Sequence, residues 1–265
     1  MTEPEKAVNN DKHKEWEATQ LAWDDTDFLN TTATKLMKLK WKRLNIKISE
    51  IIEKEVVEKN EYISLLDIGA GRGEFYHQLQ PMLKNYVGIE PSHEMLKDEL
   101  NSENFELKRG CGEEITFHDA FEACLIKEVL DHTFDPEKVI KNAANALKEN
   151  GLLIVSLTNK NAFYKLIFKK YAKKLETEHK DHLYNFNPAE VKALMEKAGL
   201  TVEKNFSINY LKMPKFIENM VGAFPEKFVF FKLDAIDSLM SAIMPGKGGG
   251  FIMTARKPAG SGGKE

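Results

Sequence analysis

Leu65-Leu66-Asp67-Ile68-Gly69-Ala70-Gly71-Arg72-Gly73-Glu74-Phe75 is an apolar run that stops in a loop with glycine at three alternate positions. Residues 62–68 have the short, apolar, β-rich character of a strand buried on both faces of a parallel sheet. A helix is expected to start near Arg72. Glycine admits backbone torsions closed to other residues and carries no Cβ, so a ligand can lie directly on such a turn and meet the amides at the helix start. The stretch therefore predicts a strand feeding a helix through a cofactor-binding turn.

Spacing separates the candidate cofactors. A dinucleotide fingerprint, G-x-G-x-x-G, would place its third glycine at position 74, which is Glu74. The loop is G-x-G-x-G instead, and Tyr86-Val87-Gly88-Ile89-Glu90-Pro91-Ser92 follows as a second short strand ending in a carboxylate. An acid at that place in a nucleoside-binding βαβ unit accepts hydrogen bonds from both ribose hydroxyls. The loop, preceded by Asp67, resembles the first motif of the class I S-adenosylmethionine (SAM) dependent methyltransferases. The resemblance implies SAM as cofactor, held by Asp67, Gly69, Ala70, Gly71, Gly73, Glu90, Pro91 and Ser92.

Later segments extend the resemblance. Residues 105–108 make a short third strand, and Gly110-Cys111-Gly112-Glu113 lies where the family has an acidic loop beside the adenine. Here the chain departs from the pattern, with Cys111 where the family often has Asp. The adenine contacts implied by the resemblance then fall to backbone groups of Cys111 and Gly112 or to Glu113. A fourth strand, residues 121–126, runs into Lys127-Glu128-Val129-Leu130-Asp131-His132. Ligands of open α/β sheets lie beyond the carboxyl ends of the strands, so this stretch faces the reacting end of the cofactor. It resembles the family's motif after the fourth strand and adds Lys127, Glu128 and Val129 to the cofactor set. A helix over 136–149, a turn at Asn150-Gly151 and a strand over 151–157 complete the pattern.

The motifs cover residues 62–157 and are most similar to a small-molecule branch that includes ubiquinone-biosynthesis and sugar methyltransferases. Two shorter matches to that branch are Ser156-Leu157-Thr158-Asn159 and His182-Leu183-Tyr184-Asn185-Phe186-Asn187-Pro188. Asn187 and Pro188 read as the N-cap and first position of a helix over 187–198. The implied fold is α/β, a Rossmann-like doubly wound sheet of seven mostly parallel strands with an antiparallel last strand. N-terminal helices and an inserted helical cap complete it.

At 265 residues the chain suits one large α/β domain. Its core is expected over 60–208 and 246–257, with an N-terminal helical region at 15–59 and the cap at 209–245. With 38 basic and 41 acidic residues the net charge is −3, which does not call for nucleic acid. A polar N-terminus and the lack of any apolar run of about 18 residues lead to the expectation of a cytoplasmic protein. The two cysteines read as reduced thiols. No compact metal-ligand spacing stands out, His179-Lys180-Asp181-His182 being a weak exception, so no metal is expected.

Three segments remain for acceptor recognition. Trp16, Leu21, Trp23 and Phe28 need a surface to pack on, and residues 31–59 carry helical spacing; these helices either cover the sheet edge or form a lid from 16 to 41. Residues 160–180 form a basic amphipathic helix that either packs with a solvated lysine face or makes peripheral contact with an anionic membrane. In the cap, Phe228, Phe231, Ala235, Ile236, Leu239 and Ile243 keep helical spacing and read as core; the alternatives are an apolar pocket or a membrane-facing patch. The oligomeric state is not readable.

Since the SAM sulfonium is an activated donor, the protein mainly holds a nucleophile in line with the methyl group. A hydroxyl acceptor also needs its proton removed, for which histidine is suited near neutral pH; His132 and His182 are the candidates. An amine acceptor needs neither. The expected activity is methyl transfer to a hydroxyl or amine of a small molecule with an apolar portion. A non-catalytic SAM-binding protein is the alternative outside enzymology, and Glu74 disfavours an NAD-dependent reductase.

Overall fold

The computed structural model describes residues 33–96, 102–167, 182–213 and 215–260. Helix α1, Lys35–Ile52, begins at Thr34, whose hydroxyl accepts from the Met37 amide at 3.1 Å. It runs on through a π-helical turn, Glu53–Val57, into Glu58–Asn60. The sheet and its helices then alternate: β1 (Ile63–Ile68), α2 (Glu74–Leu79), β2 (Leu83–Glu90), α3 (His93–Leu96), β3 (Phe105–Arg109), β4 (Phe121–Lys127), α4 (Pro136–Ala146) and β5 (Leu147–Thr158). After α5 (Phe163–Ile167) come α6 (Pro188–Lys197), β6 (Thr201–Ile208), α7 (Lys215–Val221), α8 (Glu226–Ile243) and β7 (Gly250–Arg256).

The seven strands lie in the order β3-β2-β1-β4-β5-β7-β6, and β7 runs antiparallel to both its neighbours. The winding reverses between β1 and β4, which pair in parallel from Leu65↔Ala123 to Ile68↔Ile126. A crevice at such a reversal is where doubly wound sheets take their ligands. Because side chains alternate along a strand, each strand feeds two cores. Leu66, Ile68, Cys124, Ile126 and Val155 pack under α4 and α6. Leu65, Leu125, Ile154 and Ile252 pack under α1 and α2, where Leu44, Ile48, Ile52 and Val56 recur every four residues. That spacing keeps all four on one stripe of α1.

Some expectations shift in detail. The helix expected over 136–149 ends at Ala146, and the strand begins at Leu147, which is fully buried and paired with Phe121. Asn150 takes a positive φ of 61° within that strand. The helix foreseen after Ser92 is described only as α3, its continuation lying outside the described residues. Trp16, Leu21, Trp23 and Phe28, and the part of the 160–180 segment beyond Ile167, also lie outside them. The cap is the larger correction. Its helical period is right but its face is reversed: Phe228, Phe231, Leu239 and Ile243 are exposed, whereas Val229, Leu233 and Asp237 are buried. The inward face meets α1, packing Val229 and Leu233 on Leu36.

Candidate active site

The turn after β1 is built by backbone geometry that only glycine adopts freely. Gly69, Gly71 and Gly73 have φ of 74°, 56° and 74°. They do different work. A Cβ on Gly69 would fall 2.1 Å from Val129 Cγ2, so the turn is pressed against the loop after β4. A Cβ on Gly71 would meet nothing within 4 Å. The ground over the central glycine is therefore open, and backbone there can be approached closely.

Glu90, at the end of β2 and 8% exposed, reaches back to this turn. Its Oε2 accepts from the Gly71 amide at 2.9 Å and its Oε1 from the Ser92 amide at 2.9 Å. Each carboxylate oxygen accepts more than one hydrogen bond, so the clasp fixes the carboxylate's orientation and leaves acceptor capacity for a ribose. Asp67 is buried beneath the turn, accepting from the Tyr86 hydroxyl at 2.7 Å. Burial pushes its pKa up to about 6, opposed by that hydroxyl and by the Lys127 charge. Ala70, between the glycines, is buried, as is Ser92, whose Oγ accepts from the Met95 amide; Pro91, just before it, is half-buried.

The residues that the resemblance assigns to the adenine side are tied into the fold. Glu113 Oε1 accepts from the Phe134 and Asp135 amides at 2.8 and 3.1 Å. Asn142 donates to the carbonyls of Gly112 and Glu113. Gly112 is buried against Val139, where a Cβ would lie 2.9 Å from Cγ1. The neighbouring Cys111 thiol is pushed up to about 12 by burial and by Glu113, which makes it an inert wall rather than a nucleophile.

After β4 the side chains part. Lys127 turns to the α1–α2 face, its Nζ 3.2 Å from Asn45 Oδ1, 3.7 Å from Glu74 Oε2 and 5.1 Å from the Phe75 ring. Glu128 holds a strained φ of 53°, fixed where its amide donates to the Ser156 carbonyl at 2.9 Å. Its carboxylate accepts from the Ser156 hydroxyl at 3.3 Å. Burial, then the charge of Asp131, raise the Glu128 carboxyl to about 7. Strain of this kind persists where surrounding structure over-determines it, often at functional sites.

The two histidines singled out from the sequence converge. His132 ends a 3-10 turn, Leu130–His132, and His182 comes from the far side of the β5–α6 connection. Their rings lie edge to face with centroids 4.7 Å apart. Between them sits Asp131, 3% exposed, with Oδ2 3.2 Å from His182 Nδ1 and Oδ1 3.8 Å from His132 Nε2. Its backbone carbonyl accepts from the Leu183 and Tyr184 amides at 2.9 and 3.1 Å. Oδ1 is buried with no hydrogen-bond partner among the described residues. Asp131 was not among the residues chosen from sequence; an acid adjoining one candidate histidine was the available signal, and its reach to the other is a property of the fold alone. Asp131, His132 and His182 each bring one ligand atom within 4.8 Å of the others, a cluster with no local ligand spacing to announce it.

Comparison with known proteins agrees with this geometry. Residues 40–205 match the model of a methyltransferase domain family. The ubiquinone biosynthesis O-methyltransferase of Bradyrhizobium diazoefficiens is 31% identical over 104 residues, which span 37% of this chain and 41% of that protein. The enzyme of the same name from Coxiella burnetii is 26% identical over 170 residues, 60% of this chain and 71% of that one. In structure, the YcgJ protein of Bacillus subtilis superposes over 82% of this chain and 98% of its own with a TM-score of 0.55 and 18% identity. A G-x-G-x-G turn, a carboxylate clasped to it at the end of β2, and a family match spanning more than half of the chain agree: the chain belongs to the class I SAM-dependent methyltransferases.

Proposed function

We propose that this methyltransferase acts on a hydroxyl of a small molecule with an apolar portion, with His182 as the base that takes the hydroxyl proton. The observation that carries the reading is the 3.2 Å approach of His182 Nδ1 to the buried Asp131 Oδ2 beyond the end of β4. A carboxylate in that position holds the imidazole with Nδ1–H directed at Oδ2 and leaves Nε2 as the acceptor. SAM supplies an activated methyl group when bound. The chain's residues then have three tasks: Glu90 and the glycine turn hold the nucleoside, Asp131 orients His182, and His182 Nε2 receives the acceptor's proton. His132 packs edge to face against the His182 ring and limits its rotation. Tyr184 and Phe186, whose rings stack 5.8 Å apart just after His182, offer apolar surface near the base.

The curated relatives named for O-methyl transfer support the hydroxyl over an amine. A cell-extract screen with methyl-labelled SAM identifies the acceptor. On that acceptor, His182→Ala is expected to lower kcat by about 100-fold or more with SAM affinity unchanged, the scale of general-base catalysis. Wild-type-like turnover would point to an amine acceptor instead. The Asp131, His132 and His182 cluster also has the spacing of a divalent-cation site. Under the base reading turnover withstands a chelator; loss on chelation and recovery with added magnesium or zinc would favour the cation.

A further inference from the structure

We propose that the outer face of the α7–α8 hairpin docks on an anionic phospholipid bilayer. Phe216, Met220, Phe224, Phe228, Phe231 and Leu239 are each half or more exposed on this hairpin. On α8 the exposed Phe228, Phe231, Ala235, Leu239 and Ala242 recur at three- and four-residue intervals, so they line one stripe along the helix. Scattered exposed apolar residues need no explanation, but a continuous stripe of this size marks an interaction surface.

The charges identify what the surface meets. Residues 211–245 contain four acids, Glu218, Glu226, Asp234 and Asp237. All four turn toward α1, pairing with Lys40, Lys42, Arg43 and Lys47. Lys215, Lys227 and Lys232 remain exposed among the aromatic residues, Lys232 Nζ lying 5.4 and 5.8 Å from the Phe228 and Phe231 rings. A helical surface of exposed phenylalanine, methionine and leucine whose unpaired charges are lysines, the acids being paired with α1, is complementary to a lipid interface bearing negative headgroups. No helix among the described residues is long and apolar enough to cross a membrane, so the contact is peripheral. The hairpin leaves the sheet at the carboxyl end of β6, which lies parallel to β5 and so at the edge that carries the glycine turn. Docking would thus bring the active-site edge close to the membrane, whichever acceptor the enzyme takes.

Vesicle co-sedimentation of the full chain tests this. Binding is expected to vesicles of phosphatidylcholine containing about one-third phosphatidylglycerol and to weaken at least about tenfold in phosphatidylcholine alone. Phe228→Ser with Phe231→Ser is expected to weaken partitioning to the anionic vesicles by about tenfold or more, and Lys215→Glu, Lys227→Glu and Lys232→Glu together to remove the dependence on phosphatidylglycerol. These side chains are exposed, so circular dichroism and SAM affinity should match wild type in both variants. Wild-type protein left in the supernatant would overturn the proposal. So would undiminished sedimentation of the Phe228→Ser, Phe231→Ser variant, which would place lipid binding elsewhere. Sedimentation velocity showing a dimer that this variant dissociates would assign the face to a second copy and likewise overturn it.

Discussion

At the scale of single residues, the acid beneath the glycine turn is held against its surroundings. Asp67 is 2% exposed, and its carboxyl is raised from 3.8 to about 6 chiefly by burial. A carboxyl with a raised folded pKa favours the folded state fully below its unfolded pKa, and that contribution disappears as pH rises through the folded value. The window is therefore about pH 4 to 6. Asp67→Asn keeps an acceptor for the Tyr86 hydroxyl and has no charge to bury. Its stability relative to wild type is expected to improve by about 1.4 kcal/mol between about pH 5 and pH 8, one pKa unit's worth. Urea unfolding of both proteins at the two pH values checks this, and a constant difference would show that Asp67 is not desolvated as the geometry implies. The acid survives at neutral pH because Tyr86 and Lys127 oppose the burial.

At the scale of elements, the three glycines of one turn should respond differently to the same substitution. Gly71→Ala adds a methyl where nothing lies within 4 Å, so its stability cost is only the left-handed backbone penalty of roughly 1–2 kcal/mol. That methyl occupies this open ground, and SAM affinity is expected to fall at least about tenfold, since backbone must approach the ligand closely there. Gly69→Ala drives its methyl into Val129 and is expected to lower the melting temperature well beyond Gly71→Ala. Calorimetry with SAM and thermal melts separate the two; equal melts would show that Val129 yields. The turn, Glu90 and all seven strands are legible in the sequence because they depend on local glycine spacing and on apolar runs of strand length. Less could be read where the deciding contact is distant. Helical period is visible in α8, but its face is not: its phenylalanines suggest burial, while Asp237 goes inside because Arg43 of α1 waits there. Asp131 is hidden in the same way, its value set by His182 from another connection.

At the scale of the molecule, α1 joins the cap to the active site. Its first turns pack on α7 and α8 through Leu36, Lys40 and Arg43, and its later turns lie on the sheet through Leu44 and Ile48. Asn45, just after Leu44, accepts from Lys127 at the end of β4. Two buried ion pairs fasten the upper half, Lys40 with Glu218 and Arg43 with Asp237. Asp237 also accepts from the Asn209 and Tyr210 amides at 2.9 and 3.0 Å, fixing the point where the chain leaves β6. Excising the cap would leave the buried Arg43 and Lys40 without these acids and expose Leu36, so the hairpin is part of the fold rather than a detachable lid. Removing one partner of a buried pair strands the other's charge. Asp237→Ala is expected to cost about 3–5 kcal/mol, less whatever Asp234, 2.9 Å from Arg43 Nε, retains. Arg43→Met with Asp237→Leu removes both charges and should recover most of the loss, because apolar side chains of similar size can replace such a pair. Urea unfolding of the wild type, Arg43→Met, Asp237→Leu and the double variant forms the cycle, with SAM affinity measured on each. A single-variant cost under about 1 kcal/mol would mean that the pair is solvated and weak. If stability falls and SAM affinity falls with it, the link from the cap through α1 to Lys127 is mechanical; if SAM affinity holds, α1 supports the fold without shaping the site.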